Sequence, residues 1–268
     1  MADIGTIAAR VLQAHDAGAT IDRISDSDAP FDVAAACRVS AEVFAARVRR
    51  GERPVGWKIG YTNRAIQKQY GVMQPIFGRM YDSTVTEVPA GATAHCSLAA
   101  IAEPRIEPEI VVRIARSPEP GMRPADLVGC IDRVGHGFEI VTSIFRDWKG
   151  TAADSIAAGS LHGRYFHGPL MPLDGDRDWV AATGDVEVVI YRNGVEMDRG
   201  VGRNALDGPL VALGHFVTGL GAIDGERLKP GEIVTTGTLT QAFRCYAGES
   251  WSTEISGLPV GGMRIAFS

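Results

Sequence analysis

Glu107 and Glu109 stand two residues apart at the entrance to the apolar run Arg105-Ile106-Glu107-Pro108-Glu109-Ile110-Val111-Val112-Arg113-Ile114. In an extended strand alternate residues share a face, so carboxylates at this spacing lie roughly 6–7 Å apart along one side. That arrangement suits hard oxygen ligands converging on a single divalent cation. A third carboxylate, Glu139, sits in Gly137-Phe138-Glu139-Ile140-Val141, again between residues that favour burial. Three carboxylates near apolar strand ends demand a counter-charge. A solvated edge strand would also expose Glu107 and Glu109, since carboxylates are mostly surface groups. Val111 falls on the same face, however, which makes that face mixed rather than uniformly polar.

Elements that could position these groups are legible on both sides of them. Residues 4–17 and 33–50 are Ala-rich with apolar positions at helical spacing, and Gly51 follows the second as a stop. Val55-Gly56-Trp57-Lys58-Ile59-Gly60-Tyr61 alternates as a short strand, with Lys58 pointing opposite to Trp57 and Ile59. Thr62 is a reasonable N-cap for a helix over 63–70, ended by Gly71. After the Glu107 strand, a Pro-rich loop over 117–124 precedes an expected helix over 125–134 and then the Glu139 strand. Residues 147–168 are rich in Gly, Ala and Ser and read as a cavity-lining loop with helical turns. Asn193-Gly194 between two strand-like runs is the strongest short-range hairpin signal in the chain. A helix over 209–219 and strands over 233–237, 249–255 and 262–267 complete the chain. Without a regular βαβ alternation, this order predicts an α+β fold on a mixed or antiparallel sheet. We expect a helical N-terminal portion with the Lys58 strand over residues 1–75 and a catalytic domain over 76–268.

Composition narrows the function classes. The 268 residues carry a formal net charge of -5, and no basic run exceeds Arg47-Val48-Arg49-Arg50, which argues against nucleic acid as a partner. No apolar run approaches the roughly 20 residues of a membrane span, and the N-terminus lacks a secretory plan, so a cytoplasmic protein without a membrane partner is expected. Cys37, Cys96, Cys130 and Cys245 are scattered, which reads as reduced, packed thiols. There is no Gly-x-Ser-x-Gly elbow for a serine hydrolase and no phosphate-binding glycine motif for a nucleotide enzyme.

Taken in order, Gly56-Trp57-Lys58-Ile59-Gly60-Tyr61-Thr62, Gln74-Pro75-Ile76-Phe77-Gly78 with Asp82, Arg105-Ile106-Glu107-Pro108-Glu109-Ile110, Phe138-Glu139-Ile140-Val141, Arg146-Asp147-Trp148-Lys149 and Pro230-Gly231-Glu232-Ile233-Val234-Thr235-Thr236-Gly237-Thr238-Leu239-Thr240 resemble six segments of one family. That family is the hydratase/decarboxylase branch of the fumarylacetoacetate hydrolase superfamily, and the resemblance covers nearly the whole chain. It implies a mixed β roll or sandwich with flanking helices, a homo-oligomer, and Mg²⁺ or Mn²⁺ held by Glu107, Glu109 and Glu139. It leaves room for a complex with an enzyme of the same pathway. Two segments depart from the pattern. Ala158-Gly159 stand where the family usually has Asp-Asn, and Gly257-Leu258-Pro259-Val260-Gly261 replaces its usual G-[LI]-G-S-V.

The resemblance implies chemistry on a small 2-oxo acid or its 2-hydroxy-diene tautomer, the metal stabilising charge on the C2 oxygen. The leading expectation is a hydratase of aromatic catabolism that adds water to a 2-hydroxy-2,4-dienoate and gives a 4-hydroxy-2-oxo acid. Lys58 would hold a substrate oxygen, Asp82 would orient Lys58 or relay a proton, and Thr240, Gln74 and Lys149 would bind substrate. The same electron sink would serve a decarboxylase of a 2-oxo-3-enedioate, whose second carboxylate could meet Arg79, Arg146, Lys149, Arg164 or Arg244. C–C hydrolysis of an acylpyruvate would need a base, for which His136 and His162 are the candidates. A non-catalytic accessory subunit is the remaining alternative.

Overall fold

The computed structural model describes residues 3–268 other than 28, 65, 66, 69–71, 174, 176 and 224. The expected helix over 63–70 therefore lies in large part outside the described residues. Helices α1 (Ile4–Ala17) and α2 (Val33–Arg49) each start on an aspartate cap, Asp3 accepting from the Thr6 amide at 3.2 Å and Asp32 from the Ala35 amide at 2.7 Å. Their apolar stripes, Val11, Ala14, Ala36 and Val39, pack on Ile144, Phe145 and α4 (Ala152–Ala157).

The remaining chain builds two sheets. The larger runs in the order β2 (Ile76–Tyr81), β1 (Pro54–Gly60), β11 (Ile233–Thr238), β5 (Arg105–Ile114), β6 (Ile131–Val141), β7 (His162–His167) and β3 (Val85–Glu87). Two short strands, β12 (Phe243–Arg244) and β8 (Met171–Pro172), pair with β5 and β6. The smaller sheet has the order β10 (Val195–Val201), β9 (Glu187–Arg192), β13 (Ser250–Ser256), β14 (Arg264–Phe267) and β4 (Ala94–Cys96). Parallel and antiparallel pairs mix in both, as expected of an α+β chain. The boundary placed at residue 75/76 falls between β1 and β2, which pair antiparallel inside one sheet.

One face of β5 and β1 forms the main core. Ile110, Val112, Trp57 and Ile59 pack under α5 (Pro209–Gly221) against Leu213 and Phe216. Nearer the strand ends Ile106, Phe138 and Ile140 meet the smaller sheet through Ile190, Trp251 and Ile265. On the opposite face Val111 is fully buried with Met80, Tyr165 and Ile233, which accounts for an apolar residue among the glutamates. The β9–β10 hairpin turns on Asn193 and Gly194, both with positive φ as a type I′ turn requires.

Two expectations were too helical or too irregular. The helix expected over 125–134 is α3 (Pro124–Val128) only, and Ile131 to Val134 already belong to β6, paired with Ile114 to Val112 of β5. The tertiary ladder overrides a local helical pattern there. Within 147–168, residues 162–167 are β7, whose Gly163, Arg164 and polar ends hide its alternation in sequence.

His136 ties the two sheets together. Its Nδ1 faces the Glu109 carbonyl at 3.0 Å and must donate, leaving Nε2 to accept from the Thr253 hydroxyl at 2.8 Å. Burial holds its imidazole down to about 4, well below the usual histidine range. A histidine with a depressed folded value contributes stability that is present above about 6.5 and lost as pH falls toward 4. We expect denaturant midpoints to drop between pH 7 and pH 5, with up to about 2 kcal/mol of that loss absent in His136→Gln. An identical acid-side slope in the variant would show that His136 does not carry it.

Candidate metal centre

The antiparallel register of β5 and β6 sets Glu107 directly opposite Glu139, and Glu109 opposite Gly137. Carboxylate oxygens of Glu107, Glu109 and Glu139 lie within 4.8 Å of one another. Glu109 and Glu139 are wholly buried and Glu107 half-buried, at the wall of a cavity of about 710 Å³. Gly237, with φ +97, donates its backbone N–H to Glu109 Oε2 at 2.9 Å. A Cβ on Gly237 would come within 2.0 Å of Thr62 Oγ1, so only glycine allows this approach.

Lys58 projects from the opposite face of β1 to Trp57 and Ile59, as its place in the strand requires. Its Nζ lies 3.3 Å from Glu139 Oε2 and donates to the Ser160 carbonyl at 3.0 Å. That carbonyl is aimed by three successive residues with positive φ, Gly159, Ser160 and Leu161. Backbone strain of this kind is stored where function demands a fixed group. Glu139 Oε1 accepts from His162 Nδ1 at 2.8 Å, and His162 Nε2 meets Thr84 Oγ1 at 2.9 Å. His162 thus orients a carboxylate in the way that outer partners commonly orient metal ligands.

Charge at the trio is unbalanced without a cation. Burial pushes Glu107 up to about 7, offset in part by Lys58 and reinforced by Glu139. Glu109 is pushed well above the carboxylate range by burial and by its two acidic neighbours. Burial acts the same way on Glu139, but Lys58 and His162 outweigh it and bring its value below the usual one. For Lys58, burial favours the neutral amine, yet Glu139, Glu107 and Glu109 prevail and raise it. Three carboxylates and one ammonium leave two surplus negative charges, matching a dication. Glu109 Oε1 and Glu139 Oε2 are buried without a hydrogen-bond donor, although Lys58 Nζ lies beside the latter. All-oxygen donors of this kind fit a hard divalent ion, so the residues present fit the metal.

The other expected site residues are dispersed. Lys149 lines the cavity, exposed, with its Nζ 3.4 Å from Asp147 Oδ2. Asp82 does not reach Lys58. It accepts from the Arg53 amide at 2.9 Å and Arg53 Nε at 2.8 Å, and that guanidinium holds its carboxyl below the usual range. Lys58 pairs with Gly78 of β2, and Asp82 lies four residues further on, about 13 Å away by strand rise. Gln74 is exposed beside Met122 and His215, outside this cavity. Thr240 is buried and donates to the Gln241 carbonyl at 3.0 Å; Thr238, two residues earlier, lines the cavity, as do Thr62 and Thr151. Of the cations named for a second carboxylate, Arg79 is tied to Glu226 and Glu232, and only Lys149 borders the cavity. Arg105, Tyr61 and the Ser160 carbonyl belong to the site without having been expected. Arg105 was visible at the head of the metal strand, whereas a carbonyl leaves no signature in residue type.

A mixed-sheet fold with a carboxylate trio and a buried lysine on one cavity defines a metal-dependent enzyme of the fumarylacetoacetate hydrolase type. No model of a known protein family matches the chain. A 2-keto-4-pentenoate hydratase of Paraburkholderia phymatum is 30% identical over 266 residues, 99% of this chain and 97% of its own length. A 2-hydroxyhexa-2,4-dienoate hydratase of Comamonas testosteroni is 28% identical, covering 95% of this chain and 94% of its own. Among solved structures, 4-oxalocrotonate decarboxylase from Pseudomonas putida G7, complexed with magnesium and adipate, superposes with a TM-score of 0.90 at 25% identity, over 99% of this chain and 97% of that one. The chain belongs to the hydratase/decarboxylase family of the fumarylacetoacetate hydrolase superfamily, a family of lyases.

Proposed function

We propose that this protein is a metal-dependent hydratase that adds water to a 2-hydroxy-2,4-dienoate, through its 2-oxo tautomer, to give a 4-hydroxy-2-oxo acid. The observation that carries this reading is the convergence of Glu107, Glu109 and Glu139 within 4.8 Å, beside a cavity that Glu107 and Lys58 line. Those glutamates would hold Mg²⁺ or Mn²⁺, which supplies Lewis acidity toward the carboxylate and C2 oxygens of a 2-oxo acid. Lys58, kept protonated by its acidic neighbours, presents an N–H to a substrate oxygen and holds a proton at Nζ for delivery to the conjugated chain. The Ser160 carbonyl and Glu139 fix that amine on the cavity wall. Gly60, Tyr61, Val141 and Leu161 line the cavity and limit water around the reacting carbons.

Hydrolysis is less well supported, because both candidate bases are engaged elsewhere: His136 between the sheets and His162 on Glu139. A non-catalytic subunit would have little reason to keep three buried carboxylates facing a lysine. The reading includes a cytoplasmic homo-oligomer, able to dock with a partner enzyme of its pathway. Four free thiols suit a reducing compartment. Among the described residues no helix is long and apolar enough to cross a membrane.

The test is to strip divalent ions with a chelator, restore Mg²⁺ or Mn²⁺, and follow the ultraviolet absorbance of 2-hydroxypenta-2,4-dienoate and 2-hydroxymuconate. We expect loss of absorbance only with metal restored, and a product heavier by one water. A product lighter by carbon dioxide assigns the decarboxylase reaction instead, and no metal-dependent change with either substrate rejects both.

A further inference from the structure

Tyr165 of β7 stands directly opposite Glu139 in the β6–β7 register, is wholly buried, and does not line the cavity. Its ring lies back across Gly137, where a Cβ would come within 2.7 Å of the Tyr165 hydroxyl oxygen. Gly137 is itself the residue opposite Glu109. Directly opposed residues stand about 4.5–5.5 Å apart at Cβ, so the hydroxyl takes the place beside Glu109 that a side chain on Gly137 would fill. Charge reports the same proximity. Burial lifts the phenol well above the usual tyrosine range, and Glu109 and then Glu139 add to it.

Buried hydroxyls are nearly always paired, and this one is not. The ring packs with Met80, Val111 and Ile233, whose side chains offer it no oxygen, and among the described residues its Oη has no hydrogen-bond partner. Thr235, in register with Val111 and Lys58 on the same face, carries a second unpaired hydroxyl. Thr236, on the other face of β11, shows the usual outcome and donates to the Ile110 carbonyl at 2.9 Å. Burying a phenol without an acceptor costs free energy that phenylalanine at 165 would avoid. The carboxylate oxygens of this layer that lack a donor are Glu109 Oε1 and Glu139 Oε2. Lys58 Nζ already stands 3.3 Å from the second, which leaves Glu109 Oε1 for the tyrosine. Glu109 has the Gly237 amide on Oε2 and nothing on Oε1. A glutamate held at one oxygen pivots about its broad terminal torsion, and a second donor removes that freedom.

We propose that Tyr165 is a positioning residue for the metal centre: as the dication is bound, its hydroxyl donates to Glu109 from behind and, with the Gly237 amide, fixes the carboxylate toward the ion. The inference rests on the proposed function only in that the trio holds a divalent ion.

The experiment is titration calorimetry of the full chain, stripped by a chelator, with Mn²⁺, paired with denaturant melts in the absence of metal. Tyr165→Phe should bind Mn²⁺ about 10- to 100-fold more weakly than the wild type, the range typical of losing the partner of a metal ligand. Its metal-free stability should equal or exceed that of the wild type, because the variant sheds a hydroxyl that has no acceptor until the ion arrives. The electron paramagnetic resonance spectrum of bound Mn²⁺ should change with it. A ring-fluorinated tyrosine placed at position 165 alone keeps the shape and the hydroxyl. It should bind Mn²⁺ as the wild type does, and its fluorine resonance should shift when Mg²⁺ is saturating, so the test stands even if the phenylalanine variant fails to fold. Unchanged Mn²⁺ affinity in folded Tyr165→Phe, or a fluorine resonance indifferent to Mg²⁺, would overturn the role of Tyr165 and leave the trio standing. Weaker binding in a variant whose metal-free fold is also less stable would mark general loosening and overturn it too. Absence of saturable Mn²⁺ binding in the wild type would overturn both this inference and the metal centre.

Discussion

Glu107→Gln should lose metal-dependent turnover by about 10³-fold or more while keeping its fold, because it removes a ligand charge with almost no change of shape. With three glutamates and Lys58 the site has two surplus negative charges to meet a dication; the variant has one. Glu107 is also the half-buried member of the trio, so its amide can be solvated from the cavity where an amide at Glu109 or Glu139 could not. The measurements are turnover and the shift of melting temperature on adding Mg²⁺ or Mn²⁺. In the wild type that shift should itself depend on pH. Glu107 is raised to about 7, so protonation stabilises the metal-free fold relative to an unfolded chain whose carboxyls titrate near 4.5. This stability is lost as pH rises through about 7, while metal, which displaces the proton, stabilises more. The metal-induced shift should grow from pH 5.5 to pH 8 and flatten in Glu107→Gln. Undiminished turnover with an unchanged shift would remove Glu107 from the ligand set.

Why the trio could be read in advance, and its neighbours could not, follows from where each signal resides. Glu107, Glu109 and Lys58 each sit in strands whose alternation is local, so the face they share is fixed by chain geometry before any tertiary contact forms. Glu139 required one further inference, that its strand pairs with β5, and the apolar residues on both sides of it supplied that. Asp82 failed because order in sequence was taken for proximity. It follows the Lys58-paired strand, but at the far end, where Arg53 takes its carboxylate. Thr240 failed by two residues, since the chain leaves β11 after Thr238 and carries Thr240 out of the cavity. Ser160 and Trp148 depend on backbone in the left-handed region at non-glycine positions, which residue type disfavours and only the packed structure enforces. Ala158-Gly159, where the family usually has Asp-Asn, gains a meaning from the same turn. Ala158 is wholly buried, with its carbonyl 3.2 Å from His15 Nε2 of α1. The Gly159 carbonyl packs against Gly78, where a Cβ would come within 2.3 Å of it. The departure therefore seats the turn that aims Ser160 at Lys58.

Lys58→Ala should still bind metal and a bidentate anion such as oxalate, yet turn over about 10²- to 10⁴-fold more slowly, the range of a positioned proton donor. Lys58 is neither a surface lysine nor a base in waiting. It is 3% exposed, and Glu139, Glu107 and Glu109 overcome the effect of burial and keep its ammonium protonated. Its removal leaves Glu139 with His162 as its remaining partner, and breaking a buried ion pair in this way typically costs about 3–5 kcal/mol. A bound dication supplies the missing counter-charge, so the variant should be markedly less stable than the wild type when stripped and approach it when Mg²⁺ is saturating. Lys58→Met, which keeps the aliphatic stem against the cavity wall, should show the same loss of rate with a smaller loss of stability. Stability is read from denaturant melts with and without metal, binding from oxalate titration, and rate from substrate absorbance. A wild-type rate in folded Lys58→Met would take Lys58 out of the chemistry and leave it as a counter-ion of Glu139 alone.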